Sequence, residues 1–106
     1  MSEQHHSERR LIENEEIMEA LNRRVREQVE RIRAEGGDDP DAPISFFCEC
    51  SDLTCRERVV ITPERYAEIH QDPSQFIVLA GHEIDEIESV VDTWRDYLIV
   101  RKNVIG

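Results

Sequence analysis

All three cysteines of this 106-residue chain fall within eight positions, in the run Cys48-Glu49-Cys50-Ser51-Asp52-Leu53-Thr54-Cys55. An odd number of cysteines cannot close a disulfide framework without leaving one over. In a reducing compartment, thiolates this crowded point to metal ligation or thiol chemistry instead. Cys48 and Cys50 are two apart, so an extended backbone sends both side chains to one face. The polar stretch Ser51-Asp52-Leu53-Thr54 can then turn Cys55 back towards them. Three thiolates converge, and a tetrahedral zinc needs one more ligand.

His82 is the preferred fourth ligand. It follows Gly81 at the end of an expected strand, where the backbone can turn sharply and present the ring. His70, on a short helix near Tyr66, is the competitor, with Asp52, a water or no metal at all behind it. Size strengthens the metal reading. A domain of some 64 residues draws no more than about 3–5 kcal/mol from its core, whereas structural zinc offers roughly 10–16 kcal/mol of apparent binding energy coupled to folding.

Ahead of the cysteines, Glu8 to Glu35 reads as a helix. Leu11, Met18, Val25 and Ile32 recur every seven residues, and Asn14, Leu21 and Gln28 fill the companion row, a heptad seam with polar d positions. Ile12, Ile17 and Val29 widen the apolar face. Glutamate crowds the first half and arginine the second, as the helix macrodipole favours. Such a helix spans roughly 42 Å, against about 28 Å for the remaining domain. It is therefore expected to overhang that domain and to seek a partner, as in a homodimer paired through residues 11–32. The other expectation is that it folds back along its own domain.

Residues 1–7 read as a disordered tail, in which His5 and His6 are ordinary tail residues, and 36–43 as a Gly/Asp/Pro linker. Over 44–106 the pattern gives a small α+β domain. Ile44–Phe47 and Arg58–Ile61 are short strands. Thr62-Pro63-Glu64 starts a helix carrying Tyr66 and Ile69, which stops at Asp72-Pro73. Gln75–Ala80 is a third strand. A helical turn from Ile84 leads into a strand, and Trp94-Arg95-Asp96 turns into a final strand, Tyr97–Arg101. The fold class is α+β: a long N-terminal helix, then a zinc-stapled antiparallel β domain with one short helix.

Charge narrows the partner. Residues 1–35 hold seven arginines against nine glutamates, and residues 36–106 hold six basic against fifteen acidic side chains. A surface that acidic does not suit nucleic acid, which draws on Lys and Arg; it fits a basic or neutral protein partner. No apolar run reaches the roughly 20 residues of a membrane span, and none near Met1 resembles a secretion signal, so the expected location is the cytoplasm.

The segments Phe46-Phe47-Cys48-Glu49-Cys50, Cys55-Arg56-Glu57-Arg58-Val59, Ile61-Thr62-Pro63-Glu64-Arg65-Tyr66, Phe76-Ile77-Val78, Gly81-His82-Glu83 and Tyr97-Leu98-Ile99-Val100 resemble a family of small uncharacterised bacterial proteins. These share the C-x-C-x4-C cluster and the later Gly-His step. The resemblance covers roughly residues 44–102 and implies the module without an activity.

Catalysis is not expected. Glu83 follows His82 directly, but the deaminase pattern wants His-x-Glu and a later Pro-Cys-x-x-Cys. There is no glycine-rich phosphate loop. The sequence reading is a zinc-stabilised protein-interaction module whose long helix self-associates or docks a partner. The alternative is a redox switch in which cysteine oxidation releases zinc. A zinc hydrolase or nucleic-acid zinc ribbon comes third.

Overall fold

A computed structural model of the chain describes residues 2–103, with side chains from Arg9 onward. The expectation of a disordered tail over residues 1–7 lies outside the residues described with side chains. The architecture is α+β. It consists of a long helix α1 (Ser2–Gly36), a hairpin-like pair β1 (Ile44–Phe47) and β2 (Arg58–Ile61), a short helix α2 (Pro63–Ile69), and strands β3 (Gln75–Val78), β4 (Glu88–Thr93) and β5 (Leu98–Lys102).

α1 sets the long axis. The molecule measures 54 × 23 × 23 Å, and 35 helical residues span about 52 Å. Gly37 ends the helix in the left-handed region at φ 71°. The Asp38 N–H then bonds the Arg33 carbonyl at 2.9 Å, closing a Schellman motif that satisfies an otherwise orphaned carbonyl. The Arg33 guanidinium also donates to the carbonyls of Ala42 and Pro43. The expected linker is thus a turn tied to the end of α1.

The helix folds back along its own domain, lying against β1. Leu11, Glu15, Met18, Asn22, Val25 and Val29 form its covered line, each three or four residues from the last. The seven-residue seam does not keep to this line. A straight helix drifts about 20° per heptad relative to such a row. Met18 is buried and Val25 packs on the core, whereas Ile32, two heptads beyond Met18, is 64% exposed. Ile17, Leu21 and Ile32 remain as the exposed large apolar side chains of α1.

β1 and β2 pair antiparallel, Ile44 opposite Ile61. β3, β5 and β4 form a second antiparallel sheet in that order. Just after β1, the Glu49 N–H donates to the Ile77 carbonyl at 2.8 Å, bringing the cysteine segment alongside β3. Thr62 caps α2, its hydroxyl accepting from the Arg65 N–H, with Pro63 in the first turn. The turn after Ile84 closes with the Ile87 and Glu88 N–H groups on the Ile84 carbonyl, and β4 follows with a bulge between Val90 and Asp92.

Two apolar clusters result. One joins Ile44, Phe46, Val59, Ile61, Tyr66, Ile69 and Ile77, with Val25 and Val29 of α1 packed against it. The other sets Cys48 and Cys50 among Phe76, Val78, Leu98 and Val100.

Candidate metal centre

The cysteine side chains are delivered by a strand end and a turn. Cys48 follows β1 directly, and its N–H bonds the Glu57 carbonyl at 3.0 Å. Beyond Cys50, the Asp52 carboxylate accepts from the Thr54 N–H and hydroxyl. The Cys55 N–H closes the turn on the Asp52 carbonyl at 3.0 Å. The fourth group arrives from the end of β3. Gly81 takes φ 92°, a conformation that β-carbon sterics deny most residues. The His82 N–H meets the Leu79 carbonyl at 2.9 Å, and the ring swings back over the thiols.

Cys48, Cys50, Cys55 and His82 therefore come together. One ligand atom from each lies within 4.8 Å of all the others, a group that could hold a metal ion. His82 Nδ1 stands 3.5 Å from the Cys48 sulfur and 3.7 Å from the Cys55 sulfur. All three cysteines are free of disulfides.

The surroundings favour a ligand role. Apolar side chains pack Cys48 and Cys50, and the Leu79 N–H donates to the Cys48 sulfur at 3.3 Å, a bond that orients a ligating thiolate. The Cys50 thiol is lowered to about 5, chiefly because the Cys48 S–H donates to it, with His82 assisting. Cys48 is correspondingly raised by that shared proton and by burial, and Cys55 is raised by burial. A cleft of about 310 Å³, lined by Cys50, Ser51, Asp52, Gly81, His82, Glu83 and Ile84, leads from solvent to the centre.

His70 has another task. Its Nε2 lies 3.0 Å from Glu49 Oε1, and its ring tilts against Tyr66 at 4.3 Å. Glu49, between two of the cysteines, points to the opposite face of the extended segment and is fully buried. Its carboxylate accepts from the Tyr66 hydroxyl (2.7 Å), Asn22 Nδ2 (2.9 Å) and the Ile77 N–H (3.0 Å). Burial without these donors would be costly. With them, Glu49 ties α1, α2 and β3 to the back of the cysteine segment.

Sequence reasoning missed Glu49, Asn22 and Glu15. The available signal for Glu49 was the same period-two alternation that aligns Cys48 with Cys50. Glu15, on the covered line of α1, is fully buried with neither carboxyl oxygen in hydrogen-bond geometry. Burial, with the neighbouring Glu88 carboxylate adding to it, pushes its pKa up to about 10.

The chain matches no family model, no curated protein and no solved structure.

Proposed function

We propose that the chain is a zinc-stabilised protein-interaction module, with one structural zinc held by Cys48, Cys50, Cys55 and His82. The observation that carries this reading is the convergence of those four ligand atoms. A tetrahedral zinc with bonds of about 2.3 Å to sulfur and about 2.0–2.1 Å to nitrogen separates its S and N ligands by about 3.6 Å. The distances from His82 Nδ1 to two of the sulfurs, 3.5 and 3.7 Å, bracket that edge. Three thiolates and an imidazole make a closed, structural donor set, and such sites stabilise small domains.

The interaction role rests on what α1 leaves uncovered. Ile17, Leu21 and Ile32 stay exposed along one side of the helix, beside its covered line. Glutamates lead and arginines trail along the same helix, so two antiparallel copies would set opposite charges together. A second copy, or a basic or neutral protein, is the partner this helix suits.

The test is native mass spectrometry of the purified full chain together with sedimentation. One zinc per chain and self-association lost in an Ile17→Glu/Leu21→Glu variant are expected. A wild type that purifies without zinc and takes none up when it is supplied would refute the zinc site. A monomeric wild type that captures no partner through α1 would refute the interaction role.

The cleft reaching Cys50 and His82 favours a redox switch as the second reading. Peroxide would take two electrons from two ligand thiolates, joining them as a disulfide while its oxygens leave as water, and zinc would be released. Zinc retained under mild peroxide argues against it.

A further inference from the structure

The first half of α1 docks through polar groups more than apolar ones. Met18 is its fully buried apolar side chain among the described residues, and Glu15 and Asn22 fill the neighbouring buried positions. Asn14 Nδ2 donates to the Ser51 carbonyl at 2.8 Å. Asn22 Nδ2 donates to the Phe47 carbonyl at 2.8 Å, and its Oδ1 accepts from the Phe47 N–H at 2.8 Å. These bonds all fall on residues 47–51, the run that carries Cys48 and Cys50. The first half's other polar link to the sheets, Glu16 to Lys102 at 2.7 Å, is at the surface.

The two asparagines stand on differently supported backbone. Phe47 is paired with Arg58 in the β1–β2 ladder, so Asn22 grips a strand. Ser51 lies beyond the ladder, in the turn between Cys50 and Cys55, where the bonds are local to Asp52, Thr54 and Cys55. A metal joining the four ligand atoms would add a further restraint on that turn, through Cys50 at one end and Cys55 at the other. A side-chain bond to a backbone carbonyl fails once the partners separate beyond about 3.5 Å, so a small shift of the turn is enough to lose Asn14. Glu15 sits in the same half with unpartnered buried oxygens that would regain water on leaving. Among the described residues, nothing apolar compensates N-terminal to Met18 beyond the half-buried Leu11 and Ile12.

We infer that the metal and the first half of α1 form one linked equilibrium. The ion fixes the Cys50–Cys55 turn where Asn14 binds it, and the docked helix in turn steadies the ligand turn. The inference rests on the metal reading above. Demetallation therefore frees residues 11–17 of α1, while the rest stays held by Met18, Asn22, Val25, Val29 and Arg33. By reciprocity, whatever factor the metal adds to docking, docking adds to metal affinity.

Hydrogen exchange on the full chain, reduced, with and without zinc, tests this below the unfolding transition of the zinc-free protein. On zinc removal the amides of residues 11–17 should speed up at least about fivefold more than those of residues 25–33 and of β3 and β5. Asn14→Ala should weaken zinc binding, measured by chelator competition, by a similar factor. Glu16→Ala, which breaks the surface link on the same half, should leave zinc affinity at the wild-type value. Unchanged protection over residues 11–17, uniform loss across the whole domain, or wild-type zinc affinity in Asn14→Ala would each overturn the coupling. A chain that holds no zinc overturns the metal reading itself, and native mass measurement shows this before any exchange is recorded.

Discussion

Glu15→Gln is expected to stabilise the protein at neutral pH. Glu15 is fully buried, its oxygens have no donor in hydrogen-bond geometry, and Glu88 is close by. Its pKa is raised from 4.5 to about 10, with burial as the largest cause and Glu88 next. A carboxyl whose folded pKa is raised binds its proton more tightly in the folded state. Its contribution to stability is full below about pH 4.5 and drains away as pH rises towards about 10. In that window one proton is worth about 1.4 kcal/mol per pH unit, so at pH 7 the wild type has lost up to about 3 kcal/mol. Glutamine keeps the size, offers an N–H to Glu88, and does not titrate. Urea unfolding of both proteins, saturated with zinc, from pH 6 to pH 9 is the assay. The ligand site is common to both, so the difference between the curves isolates Glu15. That difference should favour Glu15→Gln and widen with pH. A pH-independent difference, or a variant less stable than wild type throughout, would refute the reasoning by showing Glu15 ionised and stabilised in place.

Other outcomes follow from the centre and its supports. His82→Ala should lower zinc affinity by more than the roughly 10–100-fold typical of groups behind a ligand, whereas His70→Ala should keep one zinc per chain while losing stability, as mass spectrometry and thermal unfolding would separate. Tyr66→Phe takes one of the donors from the buried Glu49 carboxylate, and chemical denaturation should show a loss of about 1.5–3 kcal/mol. Gly81→Ala meets no atom within 4 Å but forces a side chain onto φ 92°, so about 1–3 kcal/mol of strain and weaker zinc binding should appear together in unfolding and competition assays.

The centre was legible in the sequence because its rules are local. Alternation along an extended segment put Cys48 and Cys50 on one face, a polar turn returned Cys55, and a glycine before His82 licensed the reversal at Gly81. The same locality placed β1, β2 and α2, since Thr62-Pro63 and the β-branched run Val59-Val60-Ile61 carry their signals within a few residues. Only the tertiary structure decided what covers the helix. Heptad spacing shows that α1 has an apolar face, but a row of sevens turns slowly around a straight helix. Met18 therefore ends inside and Ile32 outside, on a helix docked to its own β1. The burial of Glu15, Asn22 and Glu49 carries no local sequence signal for a related reason. A polar side chain is buried only if distant groups meet it, or if its proton is retained. The donors that admit Glu49 come from positions 22, 66 and 77, which no window of neighbouring residues contains. The chain's own order thus determined which atoms could gather around a metal. The folded contacts decided that the same eight residues would also carry, on their other face, the polar anchor of the long helix.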